Sequence, residues 1–351
     1  MRLPSVPHRS RASTAIRLLS APLAGRVADL LQALRAVLVV CTALAALVTL
    51  GYLPAHGFWM LVALLLMQAA MLAPMTILAD ALALGAASSP GNRRGFEYGW
   101  VRGTGSAAFI VGLLLSGQLV DRLGLHVIIG LQAALLAGAA LAAMRVPEVV
   151  HTRPAEAVRA PARGVLVLLK IGRFRSLVAI AALILGSHAM HDSFAVIRWS
   201  AAGISPSTAS VLWAEAVAAE VVVFFVIGPA LVARLTPAGA LALAALAGVL
   251  RWTVMAQTSE VLALALVQPL HGLTFALLHL ACMRLIAGLV PPGLEGTAQA
   301  LYGTVGIGGA TALLTVASGT LYASIGAQGF WVMAALCAIA LPLTLLLRHG
   351  R

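Results

Sequence analysis

Hydrophobic residues in this chain come in long, nearly uninterrupted runs. A window of about 19 residues picks out ten of them: Ala36 to Tyr52, Phe58 to Leu84, Tyr98 to Val120, Leu125 to Met144, Leu177 to Trp199, Ser207 to Val232, Pro237 to Val254, Val261 to Ile286, Thr297 to Ile325 and Phe330 to Leu347. Each is close to the roughly 20 residues that a helix needs to cross the hydrocarbon core of a bilayer. The pattern therefore predicts an all-α integral membrane protein with about ten full transmembrane helices. Ahead of them, Ala15 to Leu31 is apolar but interrupted by Arg17, Pro22, Arg26 and Asp29, which suits a surface or half-inserted helix better than a span. The polar stretches between runs set the expected boundaries. These are a cytoplasmic N-terminal segment over 1–35, a four-helix half over 36–144, a basic linker over 145–176, a six-helix half over 177–347 and a short tail over 348–351.

Composition agrees with the pattern. Of 351 residues, 61% are hydrophobic and 10% are charged, whereas a water-soluble domain carries about 25% charged residues around its core. Soluble enzymes and DNA-binding domains are thereby excluded. The net charge of +12 comes from arginines between the apolar runs and a single lysine, so it marks topology and not nucleic acid. With the N-terminus inside, the cytoplasmic segments receive Arg2, Arg9, Arg11, Arg17, Arg26, Arg35, Arg93, Arg94, the group from Arg145 to Arg175, Arg234, Arg284, Arg348 and Arg351. The outside receives only Arg122, Arg198 and Arg251. That bias supports ten spans with both termini in the cytoplasm. Cys41, Cys282 and Cys337 sit singly in apolar runs and form neither a disulfide framework nor a zinc spacing. No cofactor, no metal and no nucleic acid is expected.

Spans divided four and six around a basic loop would become six and six with two more helices in front. Short motifs bear on this. Pro22-Leu-Ala-Gly25-Arg26-Val-Ala-Asp29 resembles the first half of the major facilitator signature loop, without its Asp-Arg-x-Gly-Arg-Arg ending. Tyr98-Gly-Trp-Val-Arg102-Gly-Thr-Gly-Ser106, Ser187-His188, Phe194, Trp199, Leu212-Trp213, Ala219-Glu220, Leu250-Arg251-Trp252, Gln268-Pro-Leu-His271-Gly-Leu-Thr-Phe275 and His279-Leu-Ala-Cys-Met-Arg284 resemble the phenylpropionate permease branch of that superfamily, proton-linked relatives of the lactose permease. The resemblance implies a major facilitator fold of two helical halves, with the first family helix and most of the second missing, so the ten runs take family positions three to twelve. It implies a secondary transporter that moves a small organic solute with protons by alternating access, an aromatic carboxylate such as phenylpropionate or a sugar, as a monomer in the lipid bilayer. The alternative is a truncated, non-transporting remnant.

Asp80, Arg102, Asp192, Glu215, Glu220 and Arg251 fall inside runs, and each costs about 2.5 to 3.5 kcal/mol at a helix centre unless paired or wet. Counting inward from the run ends puts His188, Glu220 and His271 near the midplane, where transporters of this kind bind substrate. Glu220 is the candidate proton carrier, with His188 and His271 as further proton-coupling candidates. Gln268, His271, Phe275 and His279 recur at i, i+3, i+7 and i+11, a single helical stripe. The stripe either lines a cavity or acts as interhelical glue; because the family places its seventh and tenth helices around the substrate path, it joins His188 and Asp192 as the candidate cavity lining. His188 and Asp192 lie one turn apart and can form a local hydrogen bond, with His191 beside them. Glu215 and Arg251 share a depth and are expected to form a structural pair. Asp80 and Arg102 form a second candidate pair, structural or gating. The glycines Gly103, Gly105, Gly112, Gly303, Gly306, Gly308 and Gly309 are expected to permit close helix packing. No nucleophile and base with recognisable spacing, and no G-x-x-x-x-G-K-[ST] loop, occur, so an enzyme or ATP-driven pump is not the expectation.

The topology has a direct check. Reporter fusions after Met144 and after Leu347 should both read cytoplasmic, and a periplasmic signal from either would overturn the count of ten.

Overall fold

The structure is a computed structural model. It describes Ser20, Leu23, Ala24, Val27, Ala28, Leu31 and residues 33–87, 98–146, 162–291 and 294–347, with side chains except at 77, 80, 81, 83–87, 98–103, 162, 163, 295, 296 and 300. The described residues contain helices and no strand. Two compact units divide the chain, Met1–Pro154 and Ala155–Arg351.

The first unit holds α1 (Leu34–Leu50), α2 (Phe58–Ala87), α3 (Tyr98–Leu123) and α4 (Val127–Ala143). The described residues of the interrupted stretch before them, among them Val27 and Ala28, are helical, and Ala28 is buried. The α1 helix buries Leu38, Cys41, Thr42, Ala45, Ala46 and Thr49, a 3.6-period face, against α2 and α4. Its threonines fit this apolar face because Thr42 and Thr49 hydroxyls donate to the carbonyls of Leu38 and Ala45, at 2.7 and 2.8 Å. The Gln68 amide on α2 donates to Thr49 Oγ1 at 2.9 Å, which ties the two helices.

The second unit starts with α5 (Ala162–Lys170), α6 (Gly172–Gly186) and α7 (His188–Ala201). The expected linker over 145–176 thus ends in helix. Leu168 is fully buried in the core of this unit, and the polar start of α6 at Arg173 donates to the Leu347 carbonyl at 2.7 Å. Arginines at a helix start lower the hydropathy of a window, which is why the run shows only from Leu177. Next come α8 (Pro206–Val222), capped by the Ser205 hydroxyl accepting from Thr208 N–H, and a π segment Val223–Ile227. The α9 helix (Gly228–Gln257) follows. Then α10 (Val261–Val267), a π segment Gly272–Leu277 and α11 (Leu278–Leu289) make one apolar stretch. The helices α12 (Glu295–Leu301), a π segment Tyr302–Gly309, α13 (Ala310–Ile325) and α14 (Gly329–Leu345) complete the unit.

Six stretches are long and apolar enough to cross a membrane, and two of them, Pro206–Gln257 and Thr297–Leu345, run for 52 and 49 residues. At 1.5 Å per residue the longer measures about 78 Å, far beyond a core of about 30 Å, so each must turn back. The breaks are visible. Thr236 takes φ 62° and ψ 160° just before Pro237, and its hydroxyl caps the following helix at Gly239 N–H. Gly326 takes φ 57° between α13 and α14. Each of the ten predicted runs overlaps one of these stretches or the 17-residue helices α1 and α4, and five of them overrun its ends by a few residues or more.

The core of the second unit is built on Phe174, Trp199, Trp252, Phe330 and the aliphatic residues around them. Close approach uses other glycines than those expected. A Cβ at Gly105, Gly112 or Gly303 would meet nothing within 4 Å, and of the named set, with Gly103 outside the residues whose side-chain surroundings are described, Gly306, against Val178 and Ala181, has an atom of another helix within that distance. Tight positions elsewhere include Gly248, where a Cβ would lie 2.6 Å from Cys337 Sγ, and Gly272, where it would lie 2.7 Å from the Ala219 carbonyl. The first seats α9 on α14 and the second seats the 272–277 π segment on α8.

Replacing Gly248 by Ala should therefore destabilise the protein by about 1 to 3 kcal/mol through overpacking. The thermal midpoint in detergent should fall, and a part of the loss should return in the double variant Gly248→Ala/Cys337→Ala. Strict additivity of the two single variants would remove this contact as the cause.

Candidate functional site

The polar side chains of this site converge on Arg251, six residues before the C-terminal end of α9. Its side chain has no exposure, so it is not the outward-facing topology residue of the arginine tally. Nη2 donates to Gln268 Oε1 at 2.8 Å and Nη1 faces His271 Nδ1 at 3.1 Å. The guanidinium lies 4.6 Å from the ring centre of Trp252, a cation–π contact. The expected partner Glu215 is not among its contacts. Five residues from Glu220 on α8, Glu215 points to a different side of that helix, and among the described residues it forms no hydrogen bond or ion pair.

Because a guanidinium only donates, it dictates the proton positions around it. His271 must accept on Nδ1, so its hydrogen is on Nε2, which faces Glu220 Oε2 at 3.5 Å. Gln268 must turn its oxygen to Arg251. Its amide nitrogen then lies 3.4 Å from His191 Nε2, which accepts, so the hydrogen of His191 is on Nδ1, facing Asp192 Oδ1 at 3.4 Å. The result is a fork. One arm runs from Arg251 through His271 to Glu220; the other runs through Gln268 and His191 to Asp192. The carboxylate ends are 24% and 50% exposed, while Arg251 and Gln268 are at 0%.

His188 sits beside the fork, its ring centre 5.3 Å from that of His271. It does not bond Asp192 as expected. The Ile184 carbonyl, one turn back, takes Nδ1–H at 3.0 Å, and Nε2 meets Thr274 Oγ1 at 2.9 Å. The Thr274 hydroxyl also lies 3.2 Å from the His271 carbonyl. It has one hydrogen, which goes to neutral His188. A proton on His188 Nε2 would reverse that bond and free the hydroxyl for His271.

The predicted stripe divides. Gln268 is buried glue, whereas His271, Phe275 and His279 are partly open. The rings of His271 and Phe275 stack at 5.5 Å, and the ladder continues through Phe224 to His279 and Tyr302. His279 Nδ1 lies 3.2 Å from the Tyr302 hydroxyl. Gly25, Arg26 and Asp29 of the signature loop, and the side chains of Asp80 and Arg102, lie outside the described residues. A cavity of about 370 Å³ in the same unit, lined by Arg173, Thr236 and Leu347 among others, touches none of the predicted residues. Among the described residues no group of three or more His, Cys, Asp or Glu is placed to hold a metal ion.

Sequence reasoning passed over His191 and Thr274 as partners. Both had a signal: each is three residues beyond a singled-out histidine, His188 or His271, and so on the same helical face.

Comparisons with known proteins bear on the same region. The profile of the MFS_1 like family matches residues 11–333. The chain is 34% identical over 326 residues to the probable 3-phenylpropionic acid transporter of Escherichia coli (strain K12), covering 93% of this chain and 82% of that protein. It is 28% identical over 331 residues to the maltose permease of Geobacillus stearothermophilus, covering 94% and 82%. Among solved structures it is similar to the nucleoside transporter NupG, with a TM-score of 0.79 at 16% identity over 98% of this chain and 90% of that one. It is also similar to the human organic anion transporter MFSD10, with a TM-score of 0.61 at 19% identity over 96% and 83%. At these identities the solved structures establish the fold alone.

The split stripe predicts unequal chemistry. With Cys41, Cys282 and Cys337 replaced, His279→Cys and His271→Cys should react with a water-soluble thiol reagent in membranes, while Gln268→Cys should stay unlabelled. Labelling at 268 as fast as at 279 would contradict the buried placement.

Proposed function

Since the chain belongs to the MFS_1-like family of membrane transporters, we propose that this multi-pass secondary transporter carries out proton-coupled uptake of a small organic solute by alternating access of its two helical halves. The solute is an aromatic carboxylate such as phenylpropionate or a sugar, the two classes that the names of its relatives span. It works as a monomer in a bacterial inner membrane, with both termini in the cytoplasm.

The observation that carries the proton coupling is the arm from Arg251 through His271 to Glu220. While Arg251 donates to His271 Nδ1, the accepting nitrogen of that ring is blocked, so the proton settles at Glu220 without disturbing the fork. A proton on the carboxylate changes the charge next to the aromatic ladder, where solute and proton sites would then be adjacent. His188, turning Thr274 between two acceptors, supplies a second place where one proton alters the contacts of His271. Intramembrane carboxylates and histidines of this sort form proton relays in transporters. Gln268 and Asp192 hold the other arm, so they shape the site without taking the coupled proton. Asp80 and Arg102 are proposed as a tie, structural or gating, in the first half, and Gly25, Arg26 and Asp29 as its signature loop.

In proteoliposomes, Glu220→Gln should keep solute exchange across the membrane at near the unmodified rate while losing uphill accumulation driven by a pH gradient. Equal loss of exchange and accumulation would make Glu220 a structural residue.

A further inference from the structure

Arg251 has an unusual set of partners for a buried cation. Both groups that it touches directly, Gln268 Oε1 and His271 Nδ1, are neutral, and its Nε has no partner. The two carboxylates of the fork each stand behind a histidine. The bond from a guanidinium to a neutral imidazole is charge-assisted on one side only, whereas a carboxylate adds the attraction of opposite charges and can be held bidentately, so a carboxylate arriving at the guanidinium would bind it better than the imidazole it displaced. His271 is the partner placed to leave. It lies on the Nη1 side, it is 18% exposed, and its other nitrogen already faces Glu220. Beside it, the rings of Phe275, Phe224, His279 and Tyr302 continue as flat, weakly polar surface, the complement of a hydrocarbon or aromatic body and a poor match for a ring of hydroxyls.

We infer that Arg251 is the docking point for the carboxylate of an organic monocarboxylic acid, and that the acid takes the place of His271 on Nη1. This rests on the transporter reading above and narrows its solute to organic acids. The exchange also explains why anion and proton travel together. His271 Nδ1 is the basic nitrogen of a neutral imidazole, and it is blocked only while Arg251 donates to it. Once the acid holds Arg251, that lone pair is free, and one proton from water joins it without any other bond being made or broken. The added charge of −1 on the acid is balanced by +1 on the protein. The groups facing His271 are Arg251 and His188, with His191 and Asp192 on the other arm; Glu220 takes the imidazolium hydrogen on Nε2, and His279 lies further along near the same carboxylate.

The test uses the purified full chain in lipid nanodiscs and titration calorimetry with 3-phenylpropionate, benzoate and lactate, each beside its uncharged amide, and with maltose. At least one acid should bind, with its amide weaker by roughly 10- to 100-fold, the range expected for a bond to a charged group. In weakly buffered solution a pH indicator should report about one proton taken up per acid bound. Arg251→Lys should keep part of the preference for acid over amide, and Arg251→Gln should lose it. The comparison of acid and amide on the unmodified protein stands even where the variants do not fold. Equal binding of acid and amide, no binding by any of the three acids, or acid binding without proton uptake would overturn the inference. Proton-driven uptake of maltose with no preference for acids would also overturn it while leaving the transporter reading in place. Acid held at Arg251 with no movement of acid across a proteoliposome membrane would support the site and remove the transporter reading.

Discussion

A guanidinium carries five N–H donors, no acceptor and a charge that it does not lose at physiological pH. Arg251 places such a group inside a membrane bundle with no exposure, and the arrangement of the second unit follows from it. Burying that charge costs about 2.5 to 3.5 kcal/mol on the insertion scale. Two donor bonds from a charged group, at about 1.5 to 3 kcal/mol each, and the face of Trp252 below it offset the cost. In return, every neighbour is forced into one orientation. Gln268 shows Arg251 its oxygen, His271 and His191 become acceptors on the near side, and both imidazoles aim their single hydrogen at a carboxylate. One donor-only residue thus orders two histidine–carboxylate pairs, one through its direct contact with His271 and the other through Gln268.

The backbone makes that convergence possible. A regular helix from Val261 to Leu289 would place Gln268, His271, Phe275 and His279 in one line. The turn at Gln268–Pro269 and the π segment after His271 widen the path, and π turns of this kind are frequent at functional sites. Gln268 and His271 both reach Arg251, Thr274 turns to His188, and Phe275 stays on the ladder. Gly272 contributes by what it lacks. Its missing side chain lets the π segment approach the Ala219 carbonyl, and the residue after Ala219 is Glu220. The distance from Glu220 to His271 therefore depends on a glycine that bonds neither of them.

Much of the fold was legible because lipid imposes a one-dimensional rule: about 20 apolar residues make a crossing, and arginines stay inside. Each run overlaps a helix on that rule alone. It failed where a window averages unlike residues, as at Arg173, whose charge hid the start of α6 while its side chain reached the Leu347 carbonyl. Of the candidate site, the residue types were legible and the pairings were not. Glu215 and Arg251 share a depth but not a direction, since depth counts residues along an axis and says nothing of rotation about it. His188 and Asp192 are one turn apart, yet the imidazole is taken by the Ile184 carbonyl one turn back and by a threonine 86 residues away.

The sequence by itself determined that this is a helical membrane protein, where its apolar runs lie and which intramembrane polar residues need a partner, because each of those properties depends on composition over a local stretch and on the cost of polarity in lipid. Only the tertiary structure decided which partner each residue has. Arg251, Gln268, His271, His191 and Glu220 come from four of the predicted runs, with Gln268 and His271 sharing one, and their meeting depends on how far each helix is rotated, where a π turn shifts the register and which glycine lets two backbones approach. These are differences of an ångström or two across helices, and no local pattern of residue types encodes them.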